Sequence, residues 1–172
     1  MEESSTPSPK SHEELTSVIN HYIIYNISKN RTQTAKMIGI HKSQLSRFLN
    51  GANVSFTTLD TIVSGLCGFS ASKVLVTHSC RLLNTVHKDE YTINDMVRMA
   101  CEFKEISSIT VDIKSGVAES FVREVWSKKK GLTINTADRL WHFLFNTTAS
   151  AIIADEIQAF TQQHYSKLHG VR

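Results

Sequence analysis

The chain has 172 residues, of which 41% are hydrophobic and 20% are charged. That length allows one ordinary domain or two small ones, and the apolar content is sufficient for a packed core, which excludes a wholly disordered chain. Nineteen Lys and Arg against sixteen Asp and Glu give a net charge of only +3, which favours one local charged patch over a globally basic coat.

The sequence also bears on compartment and on cysteine chemistry. No run approaches the roughly 18 apolar residues of a membrane span, and the start Met1-Glu-Glu-Ser-Ser lacks the basic and apolar regions of a secretion signal. We therefore expect a cytoplasmic protein without a membrane partner. Cys67, Cys80 and Cys101 are widely spaced in apolar surroundings, which predicts buried reduced thiols rather than disulfides or a zinc site.

The first predicted elements are a tail and a helix. Residues 1–11 hold both prolines of the chain among several serines, which predicts a mobile tail. From about residue 12 to 28, apolar residues recur at three- and four-residue spacing, which predicts a helix with one core-facing stripe. The stripe consists of Leu15, Val18, Ile19, Tyr22, Ile23 and Ile27. Everything after the tail has helical patterning, so we predict an all-α fold.

The next segment, from Arg31 to Gly51, predicts two short helices joined by a tight turn. Ala35 leaves clearance where the helices cross, and Gly39 suits a turn that needs positive φ. Ile38, Ile40, Leu45 and Phe48 anchor both helices to a shared core. The helical period then leaves a polar and basic set on the outward face of the second helix: His41, Lys42, Ser43, Ser46, Arg47 and Asn50.

This segment resembles the Cro/repressor-type (XRE, lambda-repressor-like) helix-turn-helix family, most closely the small temperate-phage transcription regulators. Thr34-Ala35 through Ser46-Arg47 and the run Phe48-Leu49-Asn50-Gly51 carry the resemblance, which covers roughly residues 12–70. It implies a recognition helix from about Lys42 to Asn50 in the DNA major groove. The implied base-reading residues are His41, Lys42, Ser43, Ser46 and Arg47, and the implied phosphate contacts are Arg31, Gln33 and Asn50.

Two more helices complete a predicted DNA-binding domain over residues 12–88. Ser55 is an expected N-cap for a helix that carries Phe56, Leu59, Ile62, Val63 and Leu66, and Gly65 and Gly68 mark its exit. A further helix is predicted from about residue 70 to 86, with Val74, Leu75, Leu82 and Leu83 on its apolar side. The charged run at residues 87–90 then breaks the pattern.

Residues 89–147 predict a second helical domain that echoes the first. After a predicted helix at residues 92–106, Gly116 aligns with Gly39 at an offset of 77 residues, and with one inserted residue 132–140 follows the pattern of 54–62. The position that matches Ala35 is Asp112. The outward positions become Ala118, Glu119, Ser120, Arg123, Glu124 and Ser127.

Two carboxylates on that face would repel phosphates, so this copy is expected to be a poor base reader. Lys128, Lys129 and Lys130 could still contact the DNA backbone, or could simply be a solvated loop. The alternative interpretation of residues 89–147 is a helical domain that packs, dimerises or binds a protein.

Residues 148–172 predict an amphipathic helix that either closes its own domain or pairs with another subunit. Its apolar residues are Ile152, Ile153, Ile157, Phe160, Tyr165 and Leu168.

Other chemistry has little support in the sequence. No His-Glu-x-x-His order, Gly-rich phosphate loop, nucleophile elbow or paired-carboxylate motif occurs, so we expect no enzyme, no metal and no cofactor. The aromatic residues near Trp126 and Trp141 have helical spacing, which favours core packing over a stacking platform for single strands.

The leading hypothesis is a sequence-specific regulator of transcription that binds a double-stranded DNA operator, from a prophage or another mobile element. One short recognition helix reads few base pairs, so a homo-oligomer, dimer or tetramer, on repeated half-sites is expected. The competing hypothesis is an adaptor or inhibitor, of anti-defence or antitoxin type. In that case the C-terminal half would bind a protein partner, and the helix-turn-helix would serve autoregulation.

Overall fold

The structure, a computed structural model, describes residues 10–27 and 30–169. Within these residues the chain forms ten α-helices and no β-strand, so the predicted all-α class is confirmed. A π-helical turn at Ile23–Ile27 continues the first helix. The helices are α1 (Lys10–Tyr22), α2 (Arg31–Ile38), α3 (Lys42–Leu49), α4 (Phe56–Cys67), α5 (Ala71–Leu82), α6 (Ile93–Lys104), α7 (Ser108–Ser115), α8 (Phe121–Trp126), α9 (Ile134–Phe145) and α10 (Ala149–His169).

The ends of some predicted helices differ from the structure. The predicted tail at residues 1–11 lies outside the described residues up to residue 9, and the first helix begins at Lys10. The helix predicted over 70–86 was too long, because α5 ends at Leu82. Asn84 adopts a left-handed φ of 51°, which stops the helix, and Val86 is 79% exposed.

The ten helices form two five-helix units, in which the second and fourth helices have matching bounds. Helix α7 repeats α2 at an offset of 77 residues, while α9 repeats α4, and the start of α10 repeats the start of α5, at an offset of 78 residues. The extra residue falls in the loop between α8 and α9, as the sequence comparison expected. Helices α1 to α5 therefore constitute a first unit, and α6 to α10 a second unit.

The side-chain hydrogen bonds of the two units also match. In the first unit, Asp60 accepts hydrogen bonds from the backbone N–H and the hydroxyl of Ser72. In the second, Asp138 accepts from the same two groups of Ser150, at 2.7 Å each. Both pairs join the fourth helix of a unit to the first turn of its fifth helix. The repeat is thus present in the tertiary contacts as well as in the helix bounds.

The two units meet around an approximate two-fold axis. The N–H of Phe56 donates to the carbonyl of Leu132 at 2.8 Å, and the N–H of Ile134 donates to the carbonyl of Val54 at 3.0 Å. Because residues 54 and 56 are equivalent to 132 and 134, the two hydrogen bonds exchange under a two-fold rotation. The antiparallel bridge between Ser55 and Thr133 lies at their centre.

Helix packing follows the same symmetry. The fifth helices α5 and α10 pack on each other, α5 packs on the first helix of the second unit, and α10 packs on the first helix of the first unit. One continuous cluster of buried apolar side chains runs through both units. The first part of the predicted C-terminal stripe is covered by this arrangement, since Ile152, Ile153 and Ile157 are buried and Phe160 contacts Tyr22 and Phe69. Tyr165 is 58% exposed and does not belong to the core, and the side chain of Leu168 lies outside the described residues.

Among the described residues, no single helix has both the length and the apolar character of a membrane span. Helices α4 and α5 meet those criteria only when taken together, as a pair bent by 99°.

The buried carboxylate of Asp138 should make the stability of the fold depend on pH. Burial raises the pKa of Asp138 to about 6, although the two hydrogen bonds from Ser150 favour its ionised form. Its pKa is near 3.9 in an unfolded chain, so the folded state binds the proton more tightly. The resulting stabilisation is fully present below about pH 4 and is lost as the pH rises through about 6, with a loss on the order of 3 kcal/mol.

The Asp138→Asn variant tests this sign. Asparagine keeps an acceptor for the Ser150 N–H but does not ionise, so its free energy of unfolding should not fall between about pH 4 and 6 as that of the wild type does. Urea unfolding at several pH values measures the difference. The Asp60→Asn variant is the matched control and should retain the wild-type fall, because Asp138 is intact. Parallel pH profiles for Asp138→Asn and the wild type would contradict the assignment.

Candidate nucleic-acid interface

Helices α2 and α3 are held by caps that the local sequence provides. The Asn30 side chain accepts from the N–H groups of Thr32 and Gln33 at the start of α2. Helix α2 ends at Gly39, whose φ of 88° is the left-handed conformation predicted for this position. The Gln44 side chain accepts from the backbone N–H of His41, which fixes the first turn of α3.

The inward residues of this helix pair form the predicted anchor. Ala35, Leu45 and Phe48 are buried, with at most 1% of each residue exposed. Ile38 at the end of α2 lies so close to α4 that a Cβ added to Gly65 would come within 3.0 Å of the Ile38 Cα. Both helices are thus fixed to the core on one side, which leaves the other side of α3 to solvent.

The outward face of α3 contains the residues that the sequence analysis assigned to base reading. His41, Lys42, Ser43 and Arg47 are exposed, and Ser46 is half-buried. They extend from the N-cap His41 to Arg47 in the second turn of α3, so the face is about 9 Å long at 1.5 Å per residue. The structure therefore brings all five together on one short polar helix surface.

The three predicted phosphate contacts lie at the ends of the same helix pair. Arg31 and Gln33 are in the first turn of α2, where the helix dipole favours an anion. Arg31 is half-buried, and Gln33 is exposed. Asn50 is exposed and is the C-cap of α3. These residues flank the α3 face rather than belonging to it.

The charge around this face is concentrated and of one sign. Residues 30–59 contain four basic side chains, Arg31, Lys36, Lys42 and Arg47, and no Asp or Glu. The whole chain carries a net charge of only +3, so this segment alone, at +4, exceeds it. Lys36 is exposed on α2 and was not among the predicted site residues. The absence of carboxylates over thirty residues was the sequence signal from which Lys36 could have been predicted as a site residue.

Helix α8, the counterpart of α3 in the second unit, differs from α3 at its start. Asp112 occupies the position of Ala35, and its carboxylate accepts from the N–H of Val122 at 2.9 Å. Helix α8 then begins only at Phe121, two residues later than the repeat of α3 would, and Ser120 has a left-handed φ of 62°. Of the predicted outward positions, Ala118, Glu119 and Ser120 precede the helix. The buried carboxylate has replaced the first turn of the helix.

The lysine loop, residues 127–132, carries less available charge than its sequence indicates. Lys128 Nζ lies 3.5 Å from Asp95 Oδ1, and Lys130 Nζ lies 3.2 Å from Glu124 Oε2. Lys129 is exposed and makes no salt bridge with the described residues. The loop therefore offers one uncompensated cation.

Other reactive groups do not form a site in the described part of the chain. Cys67, Cys80 and Cys101 are buried free thiols, as predicted. Burial raises the pKa of Cys67 to about 12 and that of Cys101 to about 11, so neither is a thiolate at neutral pH. Within residues 10–27 and 30–169, no three His, Cys, Asp or Glu side chains cluster as metal ligands.

Comparison of the chain with models of protein families, with curated proteins and with solved structures finds no match.

Proposed function

We propose that this protein is a sequence-specific double-stranded DNA-binding regulator of transcription, of a prophage or another mobile element, that reads bases with α3. The observation that carries the proposal is the outward face of α3, which is polar, basic and exposed while Leu45 and Phe48 fix the opposite face in the core. The resemblance of residues 12–70 to Cro/repressor-type helix-turn-helix proteins supports the same assignment.

The dimensions of α3 suit a major groove. That groove is about 12 Å wide and admits one helix of about 10–12 Å in diameter, and the outward face of α3 has no carboxylate to repel phosphates. Arg47 and Lys42 would donate to guanine O6 and N7, the most common base contact of these residue types. Ser43, Ser46 and His41 would donate or accept at neighbouring base edges, whereas Arg31, Gln33 and Asn50 would position the backbone.

A single α3 reads only a few base pairs, so selective binding requires a second contact with DNA. Pairing with another copy on repeated half-sites, as a homo-oligomer, would provide it. The second unit of the same chain is the other source.

The substitutions Arg47→Ala and Arg31→Ala should have different effects. Loss of a base contact by Arg47→Ala is expected to weaken binding to the selected DNA by about 1–3 kcal/mol and to relax its preference over mismatched DNA. Loss of a phosphate contact by Arg31→Ala is expected to weaken binding to both DNAs about equally. Each variant is titrated with the selected duplex and with a single-mismatch duplex at fixed salt. The titrations give the affinity of the variant relative to the wild type and its preference for the selected duplex over the mismatched one.

The control for these variants is Arg81→Ala, an exposed arginine in the last turn of α5, which should change neither the affinity for the selected DNA nor the preference over mismatched DNA. Unchanged affinity in both Arg47→Ala and Arg31→Ala would remove the assignment of this face.

A second candidate function is protein binding through the second unit. Its support is three exposed apolar residues, Phe103 at the end of α6 and Ile109 and Ile113 on α7, which are 63%, 60% and 71% exposed. The equivalents of Ile109 and Ile113 in the first unit are Thr32 and Lys36, so the apolar character belongs to the second unit. An intact chain that selects no DNA would favour this adaptor function.

A further inference from the structure

We propose that one chain occupies its DNA site alone, with the second unit replacing a partner subunit and adding backbone contacts through Lys129. This inference rests on the proposed function. It implies an asymmetric site, in which the first unit reads bases and the second contributes affinity without sequence preference.

The first support is that the pairing surface is already filled within the chain. The symmetric contacts at Ser55 and Thr133 and between α5 and α10 join two similar units as an isologous dimer contact would. In addition, α10 covers α1, and Trp141 of the second unit donates its indole N–H to Ser79 of the first at 3.1 Å. A second subunit that used these surfaces would have to displace half of the chain's own core.

The second support is the position of the lysine loop. A two-fold rotation leaves equivalent groups at the same height along its axis, so the loop after α8 lies at the same end of the molecule as the loop after α3. Both loops lead directly into the central bridge, through the hydrogen bonds of Val54 and Leu132. DNA that contacts the α3 face and extends across the axis would therefore reach the lysine loop.

The third support is that the second unit has lost the features needed for reading bases. Its helix α8 is shortened by Asp112, and Glu119 and Glu124 occupy the positions of Lys42 and Arg47. A phosphate contact requires no such helix, because any exposed cation near the backbone releases counterions on binding. Lys129 meets this requirement, whereas Lys128 and Lys130 are paired with carboxylates.

The test uses the full chain on a DNA fragment that it selects. Native mass spectrometry gives the number of chains bound, and the expected complex has one chain per site without an inverted repeat. The salt dependence of binding is then compared for the wild type, Lys129→Gln and the control Lys104→Gln. Lys104 is also exposed but ends α6, about 15 Å along the helix from Asn94, which contacts the lysine loop.

We expect Lys129→Gln to reduce the slope of log affinity against log salt by about 1, and Lys104→Gln to leave it unchanged. Two chains on an inverted repeat, or equal slopes for Lys129→Gln and the wild type, would overturn this inference while base selection by α3 remained. Failure of the intact chain to select any fragment is a different result, because it would refute the proposed function itself.

Discussion

Substitution of Ala35 by aspartate is expected to abolish selective DNA binding, with a loss of roughly 100-fold or more in affinity for the selected DNA. The second unit contains this substitution naturally, as Asp112, and there the carboxylate caps a helix that starts two residues late. In the first unit the N–H of Leu45 instead donates to the carbonyl of His41, within an intact first turn. An aspartate at position 35 would compete for that N–H.

Of the two responses open to the Ala35→Asp variant, the one that gives the carboxylate a partner removes base contacts. If the carboxylate captures the Leu45 N–H, residues 41–43 leave the helix, and two or more base contacts of about 1–3 kcal/mol each are lost. If the helix stays intact, a buried carboxylate remains without a partner, at a cost of several kcal/mol of stability.

Binding to selected and random duplexes measures the effect, with circular dichroism to establish that the variant is folded. Ala35→Ser is the matched control, because its small hydroxyl can donate to a carbonyl of its own helix and should preserve binding. Full selectivity in a folded Ala35→Asp variant would show that the first turn of α3 does not read DNA.

Substitution of Trp141 by alanine should give the largest loss of stability, about 3–5 kcal/mol. Trp141 is fully buried in α9, and its indole N–H is donated to the Ser79 hydroxyl of the other unit. The substitution therefore opens a cavity and removes a contact between units. Because both units share one core, we expect a single cooperative unfolding transition at lower denaturant concentration.

Urea unfolding followed by fluorescence tests this, since Trp126 remains as a probe in the variant. The Ser79→Ala variant separates the hydrogen bond from the cavity, because it leaves the indole N–H unpaired at a cost of about 1–3 kcal/mol. Two separate transitions in the wild type, or a loss below about 1 kcal/mol in Trp141→Ala, would contradict a shared core.

Local sequence patterns were sufficient to predict the positions of most helices. The three- and four-residue spacing of Leu15, Ile19 and Tyr22 placed the first buried stripe, and Gly39 marked the turn between α2 and α3. These features depend on neighbours within one or two turns, which a sequence displays directly. The outward residues of α3 followed from the same periodicity, and the structure places them on one exposed face.

Long-range features required the structure. The repeat of Gly39 at Gly116 was visible, but the bridge between Ser55 and Thr133 joins residues 78 positions apart and has no local signal. The role of Asp112 was also hidden, because its hydrogen-bond partner is the N–H of Val122 ten residues later. The sequence indicated repulsion of phosphates by Glu119 and Glu124, whereas the structure shows in addition that α8 is shortened at its start.

The most direct test of base reading by α3 is selection from a genomic DNA-fragment library across a salt series, with the intact protein and the Lys42→Ala, Arg47→Ala double variant. We predict that the wild type enriches a defined motif at moderate salt, and that the folded double variant enriches none while retaining weak binding that salt abolishes. Equal enrichment by the two proteins, or only weak salt-sensitive binding by both, would contradict base reading by α3.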